Sequence, residues 1–236
     1  MIDFHCHILP NIDDGSQSVD MSLAMLEESA NQGIDTMVAT PHFYAYEDSI
    51  SSFLARRRDA YDALMVGMAS NPEKKYPEVK LGAEVYYFEG MSTAEDLRYL
   101  ELANTGCILI EPPMEPWTEK MFDEIERAGR KIGLVPVIAH VDRYMRILND
   151  DSLINRVHAH RMLVQVNASY FLHSDTEVVA LEMLEQGMLH LIGSDAHNLD
   201  TRAQNIGLAA RAIAKAGDAK ALASLNEKGY RLLKNI

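Results

Sequence analysis

The sequence predicts an α/β protein: a single-domain, TIM-like barrel of seven βα units whose strand ends carry a metal site. Three observations predict it. Seven short apolar runs, at residues 2–5, 36–40, 80–84, 107–111, 136–140, 163–167 and 190–194, are partly β-branched and not alternating, as strands buried on both faces are. Segments of helical period lie between them. The strand starts at 2, 36, 80, 107, 135, 163 and 190 are 34, 44, 27, 28, 28 and 27 residues apart, a spacing that suits βα units of roughly 30 residues. The first helical segment, 18–32, carries Leu23, Leu26 and Ala30 on one stripe, with Gly33 placed to stop it. Segments 50–69, 117–130, 151–162, 177–186 and 201–216 read the same way. Seven units argue for a parallel barrel one unit short of eight. An open doubly wound sheet is the competing architecture, but no glycine-rich phosphate turn follows the first strand.

Length and composition bound the function. At 236 residues, 47% hydrophobic and 24% charged, the chain is an ordinary globular mix, which excludes disorder, collagen and a small disulfide scaffold. No linker rich in Pro, Gly and Ser divides it. The formal net charge of −13 disfavours nucleic acid and anionic membrane as partners. Two cysteines, Cys6 and Cys107, are too few for a disulfide framework and suit a reducing compartment. The opening MIDFHCHILP lacks the basic and apolar regions of a signal peptide, and no apolar run reaches 18 residues. The expectation is a cytoplasmic protein.

The chemistry gathers where the strands end. The first ends in His5-Cys6-His7, and Asp13-Asp14-Gly15 follows in its loop. The second runs into Pro41-His42. The third ends at Glu84, the fourth at Glu111, the fifth at His140 and the seventh at Ser194-Asp195-Ala196-His197. In a βα barrel these ends share one face, where active sites form. His-x-His on a strand points both imidazoles to one side. Histidine with carboxylate suits first-row divalent metals. The candidate ligands are therefore His5, His7, Asp14, His42, Glu84, Glu111, His140, Asp195 and His197, enough for two or three ions when a carboxylate bridges. Clustered ions activate water and clamp phosphoryl oxygens.

Each residue alone has a plainer reading. A lone His-x-His is weak evidence, and a buried glutamate often pairs with a cation. His158, His160, His173 and His190 lie off the strand ends and read as non-ligands. Coincidence separates the two readings: six of seven strands end in or run into a metal donor, and only the sixth, ending in Asn167, does not. Arg143 follows His140 by three residues, and Arg202 follows His197 by five, opening the next helix; both read as phosphate clamps rather than ordinary surface arginines. Four carboxylates, three divalent ions and two arginines sum to about +4, a pocket that holds an anion inside an acidic protein. Cys6, between two ligands, points away from them and packs in the barrel wall, and no Cys-x5-Arg phosphatase loop occurs. Phe43, Tyr44 and Tyr46 either stack on an aromatic substrate or cover the barrel mouth.

MIDFHCHILPNIDDG, ATPH, GAEVYY, LIEPP, PVIAHVDRY and GSDAHN together resemble the polymerase-and-histidinol-phosphatase (PHP) metallohydrolases. More narrowly, the chain resembles the bacterial PHP-type protein-tyrosine phosphatases of capsule and exopolysaccharide operons, with motifs spread from residue 1 to about 202. The resemblance implies a distorted (β/α)7 barrel and a trinuclear site holding manganese, or iron, zinc or magnesium. Carried over by motif, one ion takes His5, His7, Glu84 and Asp195. A second takes Asp14, His42 and His197. A third takes Glu84, Glu111 and His140. Asp14 is preferred to Asp13 because the aspartate before glycine fills that place in the family pattern; the residues by themselves leave the two open. Arg143 and Arg202 match the family's phosphate-binding arginines.

The implied reaction is hydrolysis of phosphotyrosine by an activated water attacking in line with the phenolate. The implied partner is an autophosphorylating bacterial tyrosine kinase with a tyrosine-rich tail. The segment 43–79 matches no substrate element of the family. A phosphatase of small monoesters such as histidinol phosphate shares every ligand and is the alternative. A polymerase-associated exonuclease module is disfavoured by the acidic charge, and a non-catalytic barrel by the complete ligand set.

Overall fold

The computed structural model describes residues 1–150 and 152–234. Its strands are β1 (Ile2–Cys6), β2 (Thr36–Ala39), β3 (His42–Phe43), β4 (Glu78–Leu81), β5 (Glu84–Tyr86), β6 (Cys107–Glu111), β7 (Val135–Ile138), β8 (Leu163–Asn167) and β9 (Leu191–Gly193). Every pairing is parallel: β1 with β2, β2 with β4, β3 with β5, then β5, β6, β7, β8 and β9 in succession. The curled sheet returns to its start. Asp195 N–H donates to His5 C=O at 2.8 Å, and His7 N–H donates to Ala196 C=O at 2.9 Å, joining β1 to the end of β9.

Two of the seven predicted strands differ: the third is broken in the middle, and the second resumes just beyond its predicted end. The second resumes as β3 past Thr40-Pro41, where proline has no N–H for the ladder. The third splits into β4 and β5 at Gly82-Ala83. There Arg57 Nη1 donates to Gly82 C=O at 2.5 Å. A Cβ on Gly82 would meet the Leu102 side chain at 2.8 Å. The breaks turn His42 and Glu84 into adjacent register partners at the mouth.

The helices are α1 (Val19–Asn31), α2 (Ile50–Ala69), α3 (Glu119–Ile132), α4 (Val141–Leu148), α5 (Leu153–Ala159), α6 (Glu177–Glu185), α7 (Ile206–Ala216) and α8 (Ala219–Lys234). Ser18 caps α1 by accepting from Met21 N–H at 3.1 Å, and Gly33, at φ +82°, ends it as expected. Thr118 caps α3, so that helix begins two residues later than the periodicity suggests. The segment expected at 201–216 is helical only from Ile206, so Arg202 lies in the preceding loop rather than opening the helix. Of the segment expected at 151–162, α5 is observed, and Asp151 lies outside the described residues. Helices α4 and α8 were not anticipated. The β5–β6 crossover carries two 3₁₀ segments, Met91–Thr93 and Glu95–Leu100, among its described residues instead of an α-helix.

Apolar side chains pack in two layers. Outward-facing Met37, Ile108, Ile110, Ile138, Val164 and Val166 meet the helices. Phe4, Val38, Leu109, Val137 and Leu191 face the barrel interior, where Tyr230, Leu232 and Leu233 of α8 pack against them. This floor leaves the opposite, C-terminal end of the strands to polar groups.

Candidate active site

The nine predicted ligands converge at that end. Glu84, fully enclosed, is the hub. Its Oε2 lies 3.2 Å from His5 Nε2, 3.3 Å from His7 Nε2 and 3.1 Å from His42 Nδ1, and its Oε1 lies 2.9 Å from His140 Nε2. Glu111 reaches His42 at 3.6 Å and His140 at 3.5 Å. Asp195 Oδ1 is 3.6 Å from both His5 and His7 and 3.7 Å from His197. Asp14 is 3.6 Å from His42 and 3.3 Å from His197. Three groups bring their donor atoms within 4.8 Å of one another: His7, Asp14, His42 and His197; His5, His7 and Glu84; His42, Glu84 and Glu111. These groups share His7 and His42, whereas the family pattern gives each to one ion. His140 and Asp195 stand at their borders.

Local backbone geometry turns these side chains inward. Ala139 already faces the interior cluster, and a left-handed φ of +34° at His140 brings the next side chain in as well. Asp195 has φ +54°. Such non-glycine conformations cost about 1–3 kcal/mol each and persist where the surroundings over-determine them. Gly193 lets β9 approach β1; a Cβ there would meet His5 Cβ at 2.4 Å.

The two neighbouring aspartates separate by geometry. Asp13 is enclosed, accepting from His7 Nδ1 at 2.8 Å, from Gly15 N–H at 2.9 Å and from His42 N–H at 3.0 Å. Asp14, 64% exposed at its side chain, is the one whose carboxylate reaches His42 and His197. Asp13 therefore orients a ring, and Asp14 offers a donor.

Several supporting residues escape a reading of strand ends. Gln165 on β8 accepts from His140 N–H at 2.6 Å through the oxygen that lies 3.2 Å from His5 Nδ1. Asn167 Nδ2 donates to Asp195 Oδ2 at 3.2 Å. Buried Asp3 accepts from Ser194 N–H, Ser194 Oγ and Gln204 Nε2 at 2.9, 2.6 and 2.8 Å. The signal for Gln165 and Asn167 is a pair of amides in the otherwise apolar run LVQVN. His158, His160, His173 and His190 lie outside the cluster; His160, for example, faces Glu119 and Glu126. Cys6 is buried among apolar side chains, and burial pushes its thiol well above the ordinary range. Tyr44 stacks on His42 at 5.3 Å and neighbours Tyr46 and Tyr86 at the mouth, while Phe43 is buried against Phe53.

The arginines attach to the cluster through Asp195. Arg143, on α4, donates to Asp195 Oδ2 at 2.5 Å, and Arg202 donates to Oδ1 at 2.8 Å. Arg202 is held by its own loop: its N–H donates to Asn198 Oδ1, and its carbonyl accepts from His197 N–H.

The electrostatics suit cations. Burial opposes charge on Glu84, yet the imidazoles of His5, His140 and His7 hold its carboxyl well below the usual range. Burial and neighbouring Glu84 push Glu111 up to about 8. Burial disfavours charge on His7, but its bond to Asp13 and the nearby Glu84 carboxylate lift it to about 10. One carboxylate is held ionised while its neighbour is driven toward neutrality, a conflict that a divalent cation relieves. His42 Nδ1, Glu84 Oε2, His140 Nδ1 and His197 Nε2 are buried without a hydrogen-bond partner. Orphaned buried donors and acceptors are rare in folded proteins; of the eight such side-chain atoms among the described residues, these four belong to the predicted ligands. The residues present fit metal ions.

A parallel TIM-like barrel with histidines and carboxylates converging at its C-terminal mouth defines a metal-dependent enzyme. The chain belongs to the CpsB/CapC family: the family model for capsular polysaccharide synthesis, CpsB/CapC, matches residues 1–231. Tyrosine-protein phosphatase CpsB of Streptococcus agalactiae is 28% identical over 253 residues, covering 100% of this chain and 99% of its own. Tyrosine-protein phosphatase YwqE of Bacillus subtilis is 30% identical over 211 residues, covering 86% and 79%. A solved structure from work on YwqE of Bacillus subtilis and CpsB of Streptococcus pneumoniae, unique metal-dependent tyrosine phosphatases, matches with a TM-score of 0.85. It is 28% identical, and the match covers 100% of this chain and 95% of that one. A β-aspartyl dipeptidase from Fervidobacterium islandicum, 12% identical with a TM-score of 0.50, shares the fold alone.

Proposed function

We propose that this protein is a metal-dependent protein-tyrosine phosphatase of the PHP type, acting on phosphotyrosine in a bacterial tyrosine kinase that regulates capsule or exopolysaccharide synthesis. The observation that carries this reading is the single cluster of nine donors, four of whose buried atoms have no hydrogen-bond partner. The phosphotyrosine substrate is supported by the names of the relatives, which are tyrosine-protein phosphatases across nearly the whole chain. Those names favour it over a small monoester such as histidinol phosphate.

The proposed ligands are His5, His7, Asp14, His42, Glu84, Glu111, His140, Asp195 and His197, with Glu84 shared, and manganese is the proposed ion. When bound, divalent ions supply an acidified water and neutralise charge on phosphoryl oxygens. The chain's own residues do the rest. Asp13 fixes the ring of His7, Gln165 supports His5 and His140, and Asn167 holds Asp195. Arg143 and Arg202, both partly open to solvent beside Asp195, orient the phosphate through their planar forks. Tyr44, Tyr46 and Tyr86 give the mouth an aromatic wall for the tyrosyl ring.

The proposed substrate segment is the kinase's tyrosine-rich tail, met in the cytoplasm. No described helix is long and apolar enough to cross a membrane. The whole chain is proposed to act as one domain, in keeping with the family match over residues 1–231. The test compares hydrolysis of a phosphotyrosyl peptide with that of histidinol phosphate after chelation and metal return. The peptide should be turned over far faster, and manganese should restore the most activity. Preference for histidinol phosphate would overturn the substrate assignment.

A further inference from the structure

The ligand cluster does not account for a cleft beside Arg143. It has a volume of about 220 Å³ and is lined by Asp142, Arg143, Arg146, Ser169, His173 and Thr176, among others. It therefore opens directly off the phosphate-facing side of the mouth. Arg143 and Arg146 lie three residues apart on α4, one turn of the same face. Arg143 is engaged with Asp195. Arg146 is exposed and makes no ion pair among the described residues, although it lines a formed cleft. The cleft's carboxylate, Asp142, is turned to the backbone, accepting from Asn167 N–H at 2.8 Å. Ser169, His173 and Thr176 add short polar groups to its wall.

The opposite flank offers no free guanidinium among its described residues. A second cleft beside His42 is lined by Asp13, Asp14, Glu47 and Asp48, with Arg56 tied to Asp48 at 2.8 Å. An acidic side chain entering there finds its one lining arginine, Arg56, already engaged by Asp48. The same side chain laid toward α4 meets an unengaged guanidinium.

We infer that the Arg146 cleft is a subsite for an acidic side chain lying within two residues of the phosphotyrosine. This rests on the phosphatase reading above and adds the substrate's local sequence. The spacing is compatible: an extended peptide advances about 3.3 Å per residue, and side chains one helical turn apart on α4 stand about 5–6 Å apart. Arg146 would be a specificity-determining residue and not a catalytic one, since the cluster and the phosphate-facing arginines are complete without it.

The experiment uses three phosphotyrosyl peptides that differ only in carrying Asp, Asn or Lys at the positions flanking the phosphotyrosine. They are assayed with the wild-type holoenzyme and with R146A and R146E. Each kcat/KM is divided by the same enzyme's value for an aryl phosphate that carries no peptide, which removes any general loss of folding or metal. The wild type should prefer Asp over Asn by roughly fivefold, the scale of an exposed ion pair, and Asn over Lys by a similar factor, mainly in KM. R146A should flatten the series, and R146E should reverse it. Raised salt should shrink the wild-type preference. Equal rates for the three peptides with the wild type, or an Asp preference that survives in R146E, would overturn the subsite while leaving the phosphatase reading intact. Hydrolysis of the aryl phosphate without turnover of any phosphotyrosyl peptide would overturn the phosphotyrosine-protein substrate and the subsite together.

Discussion

Arg143 and Arg202 share one carboxylate, Asp195, yet neither offers an atom that binds a cation. Removing either should therefore cost rate before it costs metal. A lost charge-assisted contact to the reacting phosphate is worth about 2.7–4 kcal/mol of barrier, so Arg143→Ala and Arg202→Ala should each lower kcat roughly 10²–10³-fold. Lysine at either site should recover only part, because a point charge lacks the bidentate fork. Wild-type rates in both alanine variants would sink the clamp, and loss of metal would recast the arginines as supports for Asp195. The aspartate pair offers a sharper test. Asp13→Asn should keep the full complement of ions but weaken metal affinity or activity roughly 10–100-fold, the usual effect of losing a partner behind a histidine ligand. Asp14→Asn should remove a donor and lower metal stoichiometry. The opposite pattern would exchange their roles. Cys6→Ser should retain substantial activity, since the thiol is enclosed and kept protonated; a loss of several orders of magnitude with metals still bound would restore a cysteine mechanism.

At the scale of elements, the site depends on how closely β9 approaches β1. Gly193 is paired with Asn167 on β8, and on its other side its Cα faces the Cβ of His5. An added methyl would also meet Gln165 Nε2 at 2.9 Å. Neither His5 nor Gln165 has room to retreat, because both are fully buried. Gly193→Ala should thus destabilise the fold by about 1–3 kcal/mol through overpacking and displace His5 enough to lower metal occupancy. Thermal unfolding and metal analysis of this variant check both effects; an unchanged midpoint with full metal would show that β9 can shift at little cost. The broken strands are a second element-scale device. By ending β2 and β4 and restarting as β3 and β5, the chain sets His42 beside Glu84 in register. Pro41, just past the second apolar run, and Gly82, inside the third, mark the two breaks in the sequence.

At the scale of the whole molecule, carboxylates and imidazoles crowd into one enclosed mouth, and metal binding should be coupled to stability. Ions that bind only the folded chain stabilise it by about 2.7 kcal/mol per site at a hundredfold excess over Kd. Chelation should therefore abolish activity and lower the melting midpoint by several degrees, at about 2–4 °C per kcal/mol for a chain of this size. Elemental analysis of the purified protein should find more than one equivalent of transition metal. A value of one or less in fully active protein would sink the multinuclear site. The net charge of −13 concentrates attention on the cationic side of the mouth, where Arg143 and Arg202 sit, as the place for an anionic substrate.

The sequence by itself determined the barrel class and singled out nine side chains that the fold brings together, for one physical reason. In a parallel barrel every strand delivers its C-terminal end to the same face, so reading seven strand ends one at a time is already a reading of the mouth. Helix starts and stops such as Ser18 and Gly33 were legible on the same terms, because capping is local. What only the tertiary structure decided were relations between distant segments. Gln165 meets His5 across 160 residues, and Asn167 meets Asp195 across 28. The tertiary structure also decided the orientation of the two aspartates, Asp13 toward His7 and Asp14 toward His42 and His197. The sharing of Asp195 by two arginines and the packing of Tyr230, Leu232 and Leu233 into the barrel floor were equally invisible. Local pattern specifies what a residue can donate and which end of its strand it occupies; its partners are set by the curl of the sheet, which no window of sequence contains.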